Sequence, residues 1–587
     1  MIQRILFIMT KIILSGIPLL LVPLYGHAQQ FLNLGFEYER RSNEPAQWQV
    51  INGTLSLDSG CKYSGNYAAR LTGDTINSFT GCMQSFNDLS GLTGKTLEIR
   101  CKAKCNTEDT SKIQIWAACF EKDVLQSGVN GDSLTGKTVW SDLSAKIEIN
   151  TQTTAVLFGV TGSKGATFYL DEFEILVNGD LYKDFTPRKE PLDGRERKWL
   201  DKHVYPFDSL TTDFEELGRA VGNARIVGLG EATHGAGTVT MTRNQLAKYL
   251  IKEKGFTMLA LENSLNVIEA IDRFVSTGEG SIENILKQTF NWSNNQEFAE
   301  LILWIREYNK NADKKVRIEG VDMQDFSGIL GRLNEMSEGQ FYQEIIHPVD
   351  SIIRYVDSEH RRNKGDVFSI PIHFTEEQRT IITASMSRLR QWAEKEIPER
   401  ELRNRFLWYT NIVEQYMEMD TAPRNRFIAD NVVWLSKQNP DTKILFFAHN
   451  SHVGKGSSVT DIREAGDHLR ERFGNDYYVI GTCFYQGTYM AGNIYKNNRY
   501  MAVSANPGMP GSYEYLFESL KKPYIFLNWR NIPKTKENAW LFQPMLFRIV
   551  GGIWNNNEYY PFPLTERFDA IVFMETTLPT NPLRDIK

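Results

Sequence analysis

The chain has 587 residues, of which 41% are hydrophobic and 24% are charged, so it can bury a large core and does not have a disordered composition. At about 150 residues per domain, this length accommodates two to four domains. Lys and Arg number 66 against 72 Asp and Glu, which gives a net charge of −6 and no basic excess for a nucleic acid. We expect no nucleic-acid partner.

Residues 1–28 have the pattern of a secretory signal peptide. Arg4 and Lys11 precede an apolar run over residues 12–24, and Gly26 and Ala28 occupy the small-residue positions of a cleavage site. The run is shorter than the roughly 20 residues that a membrane span needs. We predict cleavage after Ala28, a secreted or periplasmic protein, and no membrane span in the mature chain. An uncleaved anchor that begins before Lys11 is the alternative.

Residues 29–182 show the pattern of an all-β domain. Short runs of β-branched and aromatic residues alternate with Gly, Asn, Asp and Ser, which predicts a β-sandwich. The predicted strands cover residues 96–104, 112–120, 139–149, 155–160 and 167–177. Five of the six cysteines lie here, and both disulfides and buried free thiols fit the sequence.

The ends of this region resemble an extracellular jelly-roll module of the carbohydrate-binding type. The resemblance rests on residues 33–37, with the sequence NLGFE, and on residues 168–175, with the sequence FYLDEFEI. The resemblance implies a structural calcium ion held by Glu37 and Asp171, and packing of these side chains without an ion is the alternative. It also makes a glycan a candidate partner. Because large aromatic side chains are mostly buried, three tryptophans are expected in the core: Trp48, Trp116 and Trp140.

Residues 183–198 are charged, contain proline and show no hydrophobic period, which predicts a linker. From residue 199 to 587, apolar runs alternate with amphipathic helices, which predicts an α/β fold with a central parallel or mixed sheet flanked by helices. A helical insertion is expected around residues 325–440. Within it, Thr375 and Gln378 have capping-box spacing, and four apolar residues mark one helix face: Ile382, Met386, Leu389 and Ala393.

Six predicted strands of this region are followed by polar residues. The carboxyl ends of the strands form the ligand crevice of open α/β sheets, so we expect these residues to converge on one site. The strands and their polar residues are 224–229 with Glu231 and His234, 257–261 with Glu262, 316–321 with Asp322, 443–448 with His449, 524–527 with Asn528, and 570–574 with Glu575.

Three histidines fall at these strand ends, namely His234, His449 and His452. Imidazole titrates near neutral pH, so a histidine beside a carboxylate can accept a proton from water and return it to a leaving alcohol. Glu231 lies three residues before His234 in a loop flanked by glycines. A serine nucleophile is disfavoured, because the sequence has no G-x-S-x-G elbow and Ser451 has no assignable acid.

The hexapeptide of residues 230–235, GEATHG, resembles the signature of the erythromycin esterase family. Similarity continues in Arg243, in Glu262, in GVD at 320–322, in RNRFIADN at 424–431 and in AHNSHV at 448–453, so it spans roughly residues 195–580. The resemblance implies a carboxylic ester hydrolase that cleaves an ester or a macrolactone, with a role in macrolide resistance.

The resemblance also implies roles for individual residues. His234 is expected to be the general base, helped by Glu231, and Arg243 to orient a carboxylate or stabilise the oxyanion. His449 or His452 is expected to donate a proton. Four further residues are expected to bind substrate or to support the catalytic groups: Glu262, Asp322, Arg424 and Asn450.

One residue departs from the family pattern. Asn425 stands where an aspartate is expected, and we place this difference in the anchoring of the helix, away from the chemistry.

Three alternatives remain open at this point. The cluster of Glu231, His234, His449 and His452 has the donor types that hold a divalent metal. The α/β domain could also belong to a cell-envelope glycan-binding or metal-binding protein without hydrolase activity. A third reading keeps the esterase and makes its substrate an acylated glycan.

Overall fold

The computed structural model describes residues 30–583 apart from 42, 90, 107–110, 122–123, 209–213, 290–292, 325–327, 365–372, 420–423, 439, 457–462, 494–498 and 555–557. The signal peptide predicted over residues 1–28 lies outside the described residues. Among the described residues, none of the helices has the length and apolar character needed to cross a membrane.

The amino-terminal part is a jelly-roll β-sandwich, as predicted. Its strands are β1 Glu39–Arg41, β2 Glu44–Pro45, β3 Gln49–Ile51, β4 Gly53–Asp58, β5 Ala68–Gly73, β6 Phe79–Phe86, β7 Thr96–Cys105, β8 Lys112–Glu121, β9 Val124–Thr135, β10 Ser141–Glu148, β11 Ala155–Ser163, β12 Thr167–Val177 and β13 Asp180–Leu181. One antiparallel sheet has the order β10-β7-β12-β5-β4, with β13 on β12, and the other has the order β3-β6-β11-β8-β9.

The core of the sandwich contains thiols rather than disulfides. None of the six cysteines, all of which lie in the described residues, forms a disulfide. Cys101 and Cys105 lie on the inward face of β7, where residues alternate between buried and more exposed. Trp48 and Trp116 are buried, as predicted. The prediction for Trp140 was wrong, because its ring is only half-buried and lies against the exposed ring of Tyr63.

Glu37 and Asp171, the residues expected from the resemblance to hold a calcium ion, both contact one loop. Glu37 Oε1 accepts a hydrogen bond from the backbone N–H of Asn66 at 2.7 Å, and Asp171 Oδ2 accepts one from that of Tyr63 at 2.8 Å. Both carboxylates therefore fasten the loop of residues 63–67. A side chain at Gly65 would collide with Glu37 Oε1, which explains the glycine there.

The carboxyl-terminal part is an α/β structure with a mixed sheet. Its strands are β14 Val204–Phe207, β15 Ile226–Glu231, β16 Met258–Ser264, β17 Arg317–Asp322, β18 Ile444–His449, β19 Tyr477–Asn493, β20 Arg499–Ala505, β21 Tyr524–Asn528, β22 Met545–Arg548, β23 Ile553–Trp554, β24 Tyr559–Phe562 and β25 Ala570–Thr577. The ten-stranded sheet has the order β14-β21-β25-β19-β15-β18-β16-β17, with β20 and β23 paired to β19, while β22 and β24 form a separate ribbon.

Helices cover both faces of this sheet. They are α1 Gly194–His203, α2 Glu215–Val221, α3 Gly237–Lys254, α4 Leu265–Thr277, α5 Ile282–Leu286, α6 Gln296–Asn311, α7 Ile329–Met336, α8 His347–Lys364, α9 Glu376–Glu396, α10 Arg400–Glu418, α11 Arg424–Gln438, α12 Asn450–Val453, α13 Ala465–Phe473, α14 Tyr513–Glu518 and α15 Leu564–Arg567. A π-helical turn at Tyr342–Ile346 leads into α8, and 3₁₀ turns lie at Gly474–Asp476 and Ala539–Phe542.

Helix α1 begins inside the segment predicted as a linker. Asp193 caps it with its side chain, and Glu196 completes the capping box. Leu200 of this helix is buried in the core of the α/β part. The charged stretch is therefore the exposed face of a capped helix, at least from Gly194 onwards.

The helical insertion contains α7 to α11, as predicted. Thr375 and Gln378 form a capping box at the start of α9. The predicted apolar face of α9 is fully buried in the hydrophobic core. Its residues are Ile382, Met386, Leu389 and Ala393. Helix α11 packs beside β17 and brings Arg424 to the carboxyl end of the sheet.

Two of the six polar residues predicted to lie at the carboxyl edge of the sheet, Asn528 and Glu575, were placed wrongly. Strand β21 runs antiparallel to β25, so Asn528 pairs with Ala570 at the opposite end of the sheet, where it accepts a hydrogen bond from Tyr478. Glu575 does not end its strand, which continues to Thr577. An apolar run does not reveal the direction of its strand.

The burial of the α9 face predicts the effect of truncating it. Leu389 is completely buried, so Leu389→Ala should lower the free energy of unfolding by about 2–5 kcal/mol. Ile381 lies on the same helix with 39% exposure, and Ile381→Ala should change that free energy by less than about 0.5 kcal/mol. Urea denaturation followed by circular dichroism measures both. Equal effects of the two substitutions would contradict the assigned face.

Candidate active site

Four neighbouring strands deliver the predicted residues to one edge of the sheet. Strands β15, β18, β16 and β17 are parallel and adjacent, and Glu231 at the end of β15 pairs in register with His449 at the end of β18. Glu262 lies near the end of β16 and Asp322 at the end of β17. Residues far apart in the chain therefore meet at the carboxyl end of the sheet, as predicted.

The loop after β15 forms the first part of the cluster. His234 Nδ1 lies 2.9 Å from Glu231 Oε2, and Arg243 Nη1 from helix α3 lies 3.1 Å from Glu231 Oε1. Thr240 also donates to Glu231 Oε1 at 3.4 Å. The Arg243 guanidinium lies over the ring of Phe447, 4.7 Å from its centroid. Glu231 thus joins an imidazole and a guanidinium.

The charges of this group change its protonation. Burial alone would raise the pKa of Glu231, but the charge of Arg243 and the hydrogen bond with His234 outweigh it and lower that pKa. Burial would lower the pKa of His234, yet the hydrogen bond to Glu231 and the negative charge of Glu262 raise it above its ordinary value. His234 therefore holds its proton more tightly than a free imidazole does.

Arg424 organises the second part of the cluster. Its Nε donates to Asp322 Oδ1 at 3.1 Å, its Nη2 donates to Glu262 Oε1 at 2.9 Å, and its Nη1 lies 3.2 Å from His452 Nε2. His452 Nε2 is also 3.1 Å from Glu262 Oε1. Burial would raise the pKa of Glu262, but His452 and Arg424 hold it well below its ordinary value.

His449 is enclosed between these two parts. Its Nε2 lies 3.0 Å from the carbonyl oxygen of Val550 and 3.3 Å from that of Ala232, and its Nδ1 lies 2.6 Å from Ser451 Oγ. Because carbonyls only accept, Nε2 carries the ring proton and Nδ1 accepts from Ser451. Burial, helped by the charge of His234, lowers the pKa of His449 to about 3. The ring is neutral, and both nitrogens are engaged by the protein.

The histidine rings are close to one another. The centroids of His234 and His449 are 5.2 Å apart, and those of His449 and His452 are 6.4 Å apart. The backbone N–H of His449 donates to Glu262 Oε2 at 2.8 Å, which links the two parts of the cluster. All three histidines thus belong to one constellation.

Asn450 supports the backbone of this region. It is buried, its Nδ2 donates to the carbonyl of Thr482 at 2.7 Å, and its Oδ1 accepts from the N–H of Thr482 at 3.2 Å. A Cβ at Gly230 would lie 2.2 Å from Asn450 Oδ1, so only glycine fits beside it. Of the two roles expected for Asn450, binding substrate or supporting the catalytic groups, these contacts fit the second.

A cavity of about 540 Å³, which includes solvent at its mouth, opens beside the cluster. Glu231, His234, Arg243 and Glu262 line it, whereas His449 and His452 are not among its lining residues. The remaining lining residues are Thr240, Asn244, Leu261, Asn263, Ser293, Asn295, Phe298, Phe447 and Ala448. Those from helix α3, from helix α6 and from the segment just before α6 were not recognised from the sequence, because they carry no motif.

In the described part of the chain, no group of three or more His, Cys, Asp or Glu side chains is arranged to hold a metal ion. The Nε2 of His449 is not available as a ligand, because it carries the ring proton and faces two carbonyl oxygens.

Asn425 belongs to the cluster, contrary to the expectation from the sequence. Its Oδ1 lies 2.6 Å from His452 Nδ1. The substitution relative to the family pattern therefore touches a histidine of the candidate site, because the first turn of α11 presents both Arg424 and Asn425 to it.

Comparison with known proteins identifies relatives of this part of the chain. A protein from Escherichia coli named erythromycin esterase type II is 26% identical over 426 residues, which cover 65% of this chain and 97% of that protein. A Bacillus subtilis protein named putative hydrolase YbfO is 21% identical, covering 65% of this chain and 91% of its own length.

Solved structures show the same fold. A crystal structure of a Bacillus cereus protein matches with a TM-score of 0.57 and 24% identity over 66% of this chain and 99% of that one. A histidine-to-asparagine variant of an erythromycin esterase in an open conformation matches with a TM-score of 0.50 and 19% identity over 64% of this chain and 95% of that one. The profile of the family described as erythromycin esterase matches residues 251–577, more than half of the chain, so the protein belongs to the erythromycin esterase family.

Proposed function

We propose that this protein is a hydrolase that cleaves an ester or lactone by attack of a water molecule activated by His234. The observation that carries the proposal is the Glu231–His234 pair in the wall of a cavity, with Arg243 beside it. Relatives named erythromycin esterase and putative hydrolase support the reaction class. Erythromycin therefore belongs in the substrate panel, and a role in macrolide resistance is part of the proposal.

The proposed reaction begins with proton transfer from water to His234. The water oxygen forms a bond to the ester carbonyl carbon, and the carbonyl oxygen becomes negatively charged. The bond to the alcohol oxygen then breaks, and the proton on His234 passes to that oxygen. The products are an acid and an alcohol. Glu231 accepts from Nδ1 throughout, so it stabilises the imidazolium that forms between the two steps.

Arg243 is proposed to stabilise the oxyanion. Its guanidinium is held by Glu231 on one side and by the face of Phe447 on the other, so its orientation is fixed before substrate binds. A fixed cation aimed at a developing negative charge is worth more in a water-excluded site than in bulk water. The negative charge of Glu262 also favours the protonated ring of His234.

We assign supporting roles to the other predicted residues. Asp322 and Arg424 fix Glu262. His449 is neutral and engaged on both sides, so it separates the two parts of the cluster without exchanging protons. Proton donation to the leaving group then falls to His234 rather than to His449 or His452.

We also propose that the chain is exported and that residues 29–182 form an accessory module that binds an acidic glycan. The outer face of the sandwich carries the 47% exposed ring of Tyr63 beside Trp140, with ring centroids 5.9 Å apart. Lys102 lies 4.8 Å from the Tyr63 centroid and Lys104 lies 5.2 Å from the Trp140 centroid. Aromatic faces suit sugar rings, and the ammonium group of Lys104 suits a carboxylate, whereas that of Lys102 is paired with Asp142 at 2.6 Å.

His234→Ala should lower kcat by about 10²- to 10⁴-fold, because the imidazole that takes the proton from water is lost. Arg243→Ala should lower kcat by about 10²- to 10³-fold through loss of oxyanion stabilisation. The purified proteins are assayed on erythromycin, simple lactones and acetylated glycans, with thermal unfolding to confirm folding. His373→Ala, at an exposed histidine, is the matched control. Normal turnover by His234→Ala on every substrate would refute the assigned base.

The activity should rise with pH through a midpoint above 6.5. The base must be neutral, and its pKa is raised above that ordinary value, so the active form appears only at higher pH. Glu231→Gln removes the negative charge that raises this pKa and should move the acidic limb to lower pH. The pH dependence of kcat/KM measures both. An acidic limb that stays in place in Glu231→Gln, or moves to higher pH, would contradict the pairing of Glu231 with His234.

Trp140→Ala should weaken binding of an acidic polysaccharide by about tenfold, because a stacking surface is lost. Affinity gel electrophoresis with pectin or alginate, and with neutral xylan for comparison, measures the retardation. Ile76→Ala is the control, since Ile76 is an 85% exposed apolar residue of the same part of the chain. Equal retardation of wild type and Trp140→Ala by every polysaccharide would remove the glycan-binding assignment and leave the esterase proposal intact.

A further inference from the structure

The side chain of Asn425 makes a contact that the proposed mechanism does not use. Its Oδ1 lies 2.6 Å from Nδ1 of His452, and Arg424, the preceding residue of α11, approaches the opposite side of the same ring. An amide oxygen only accepts, so the Nδ1 of His452 carries a proton. The tautomer of the ring follows from this one contact.

The opposite nitrogen of His452 faces two charged groups. Its Nε2 lies 3.2 Å from Arg424 Nη1 and 3.1 Å from Glu262 Oε1. With Nδ1 protonated, Nε2 accepts from Arg424 while the ring is neutral and donates to Glu262 when the ring is charged. The position of the ring therefore determines how Glu262 is held.

We infer that Asn425 is a positioning residue, which fixes the His452 ring and through it the Glu262 carboxylate at the cavity wall. This inference rests on the proposed function, because Glu262 matters there through its charge beside His234. Without Asn425, the ring of His452 loses its hydrogen bond at Nδ1 and can rotate. Glu262 would then retain Arg424 and the N–H of His449 as donors, but not the imidazole.

The charge balance explains why an amide suits position 425. The groups around His452 are Glu262 on β16, Asp322 on β17, Arg424 on α11, and the Glu231, His234 and Arg243 group beyond neutral His449. These groups include three carboxylates and two guanidiniums. One protonated imidazole therefore brings the net charge of the cluster to zero. An aspartate at 425 would add a fourth negative charge and would favour a second proton in the cluster.

Two substitutions at this position separate the effects of shape and charge. Asn425→Leu removes the hydrogen bond and should lower kcat by about 10- to 100-fold, since small displacements of catalytic groups are costly. Asn425→Asp keeps the acceptor and should preserve the alkaline-plateau kcat within a few-fold, while the acidic limb of the pH profile moves to higher pH. Arg426→Gln is the matched control, because Arg426 is the next residue of the helix and its side chain is 60% exposed.

The assay uses the full chain and the ester or lactone that the wild type hydrolyses fastest, with thermal unfolding of each variant. Wild-type kcat in Asn425→Leu would overturn the inference. A loss of activity in Asn425→Leu together with an unchanged pH profile in Asn425→Asp would show a merely structural role and would also overturn it. If His234→Ala were fully active, the proposed function itself would fail, which distinguishes the two claims.

Discussion

The need to neutralise charges buried at one edge of the sheet governs this structure. Glu231, Glu262 and Asp322 are withdrawn from water, and each would be costly without a partner. Arg243 and Arg424 supply two positive charges, and the raised proton affinity of His234 supplies the third. The tendency of His234 to hold a proton is thus a consequence of the charge balance of the whole cluster. This connects the stability of the site to its proposed chemistry.

The sheet topology makes this balance feasible. Four adjacent parallel strands end together, so backbone pairing alone places Glu231 opposite His449 and brings Glu262 near both. The arginines come from helices, α3 for Arg243 and α11 for Arg424, and each reaches a carboxylate from the side. Because α11 belongs to the helical insertion, that insertion supplies one of the two arginines. A simple α/β sheet without it would remove the arginine from Asp322 and would leave Glu262 with His452 and the N–H of His449 as partners.

Much of this arrangement could be predicted from the sequence, since parallel strands between amphipathic helices put polar residues at a common edge. The prediction failed where side chains or directions depend on distant contacts. Asn528 follows an apolar run like the others, yet β21 is antiparallel and carries it to the opposite end of the sheet. The central strand β19 was missed because its glycines interrupt the apolar pattern. Asn425 showed only a departure from a motif, and its contact with His452 required the fold.

The central claim is that water, activated by His234, attacks the ester directly. A single turnover in H₂¹⁸O with enzyme in excess, followed by mass spectrometry of product and protein, tests this claim. Direct attack places one ¹⁸O atom in the acid product and leaves the protein unlabelled and without an acyl adduct. If a carboxylate such as Glu231 were the nucleophile, a mixed anhydride would form, and it would be trapped as an acyl adduct or would leave ¹⁸O in the protein when water attacks the carboxyl carbon of Glu231. If Ser451 were the nucleophile, an acyl-enzyme would accumulate or be trapped. Either result would contradict the account.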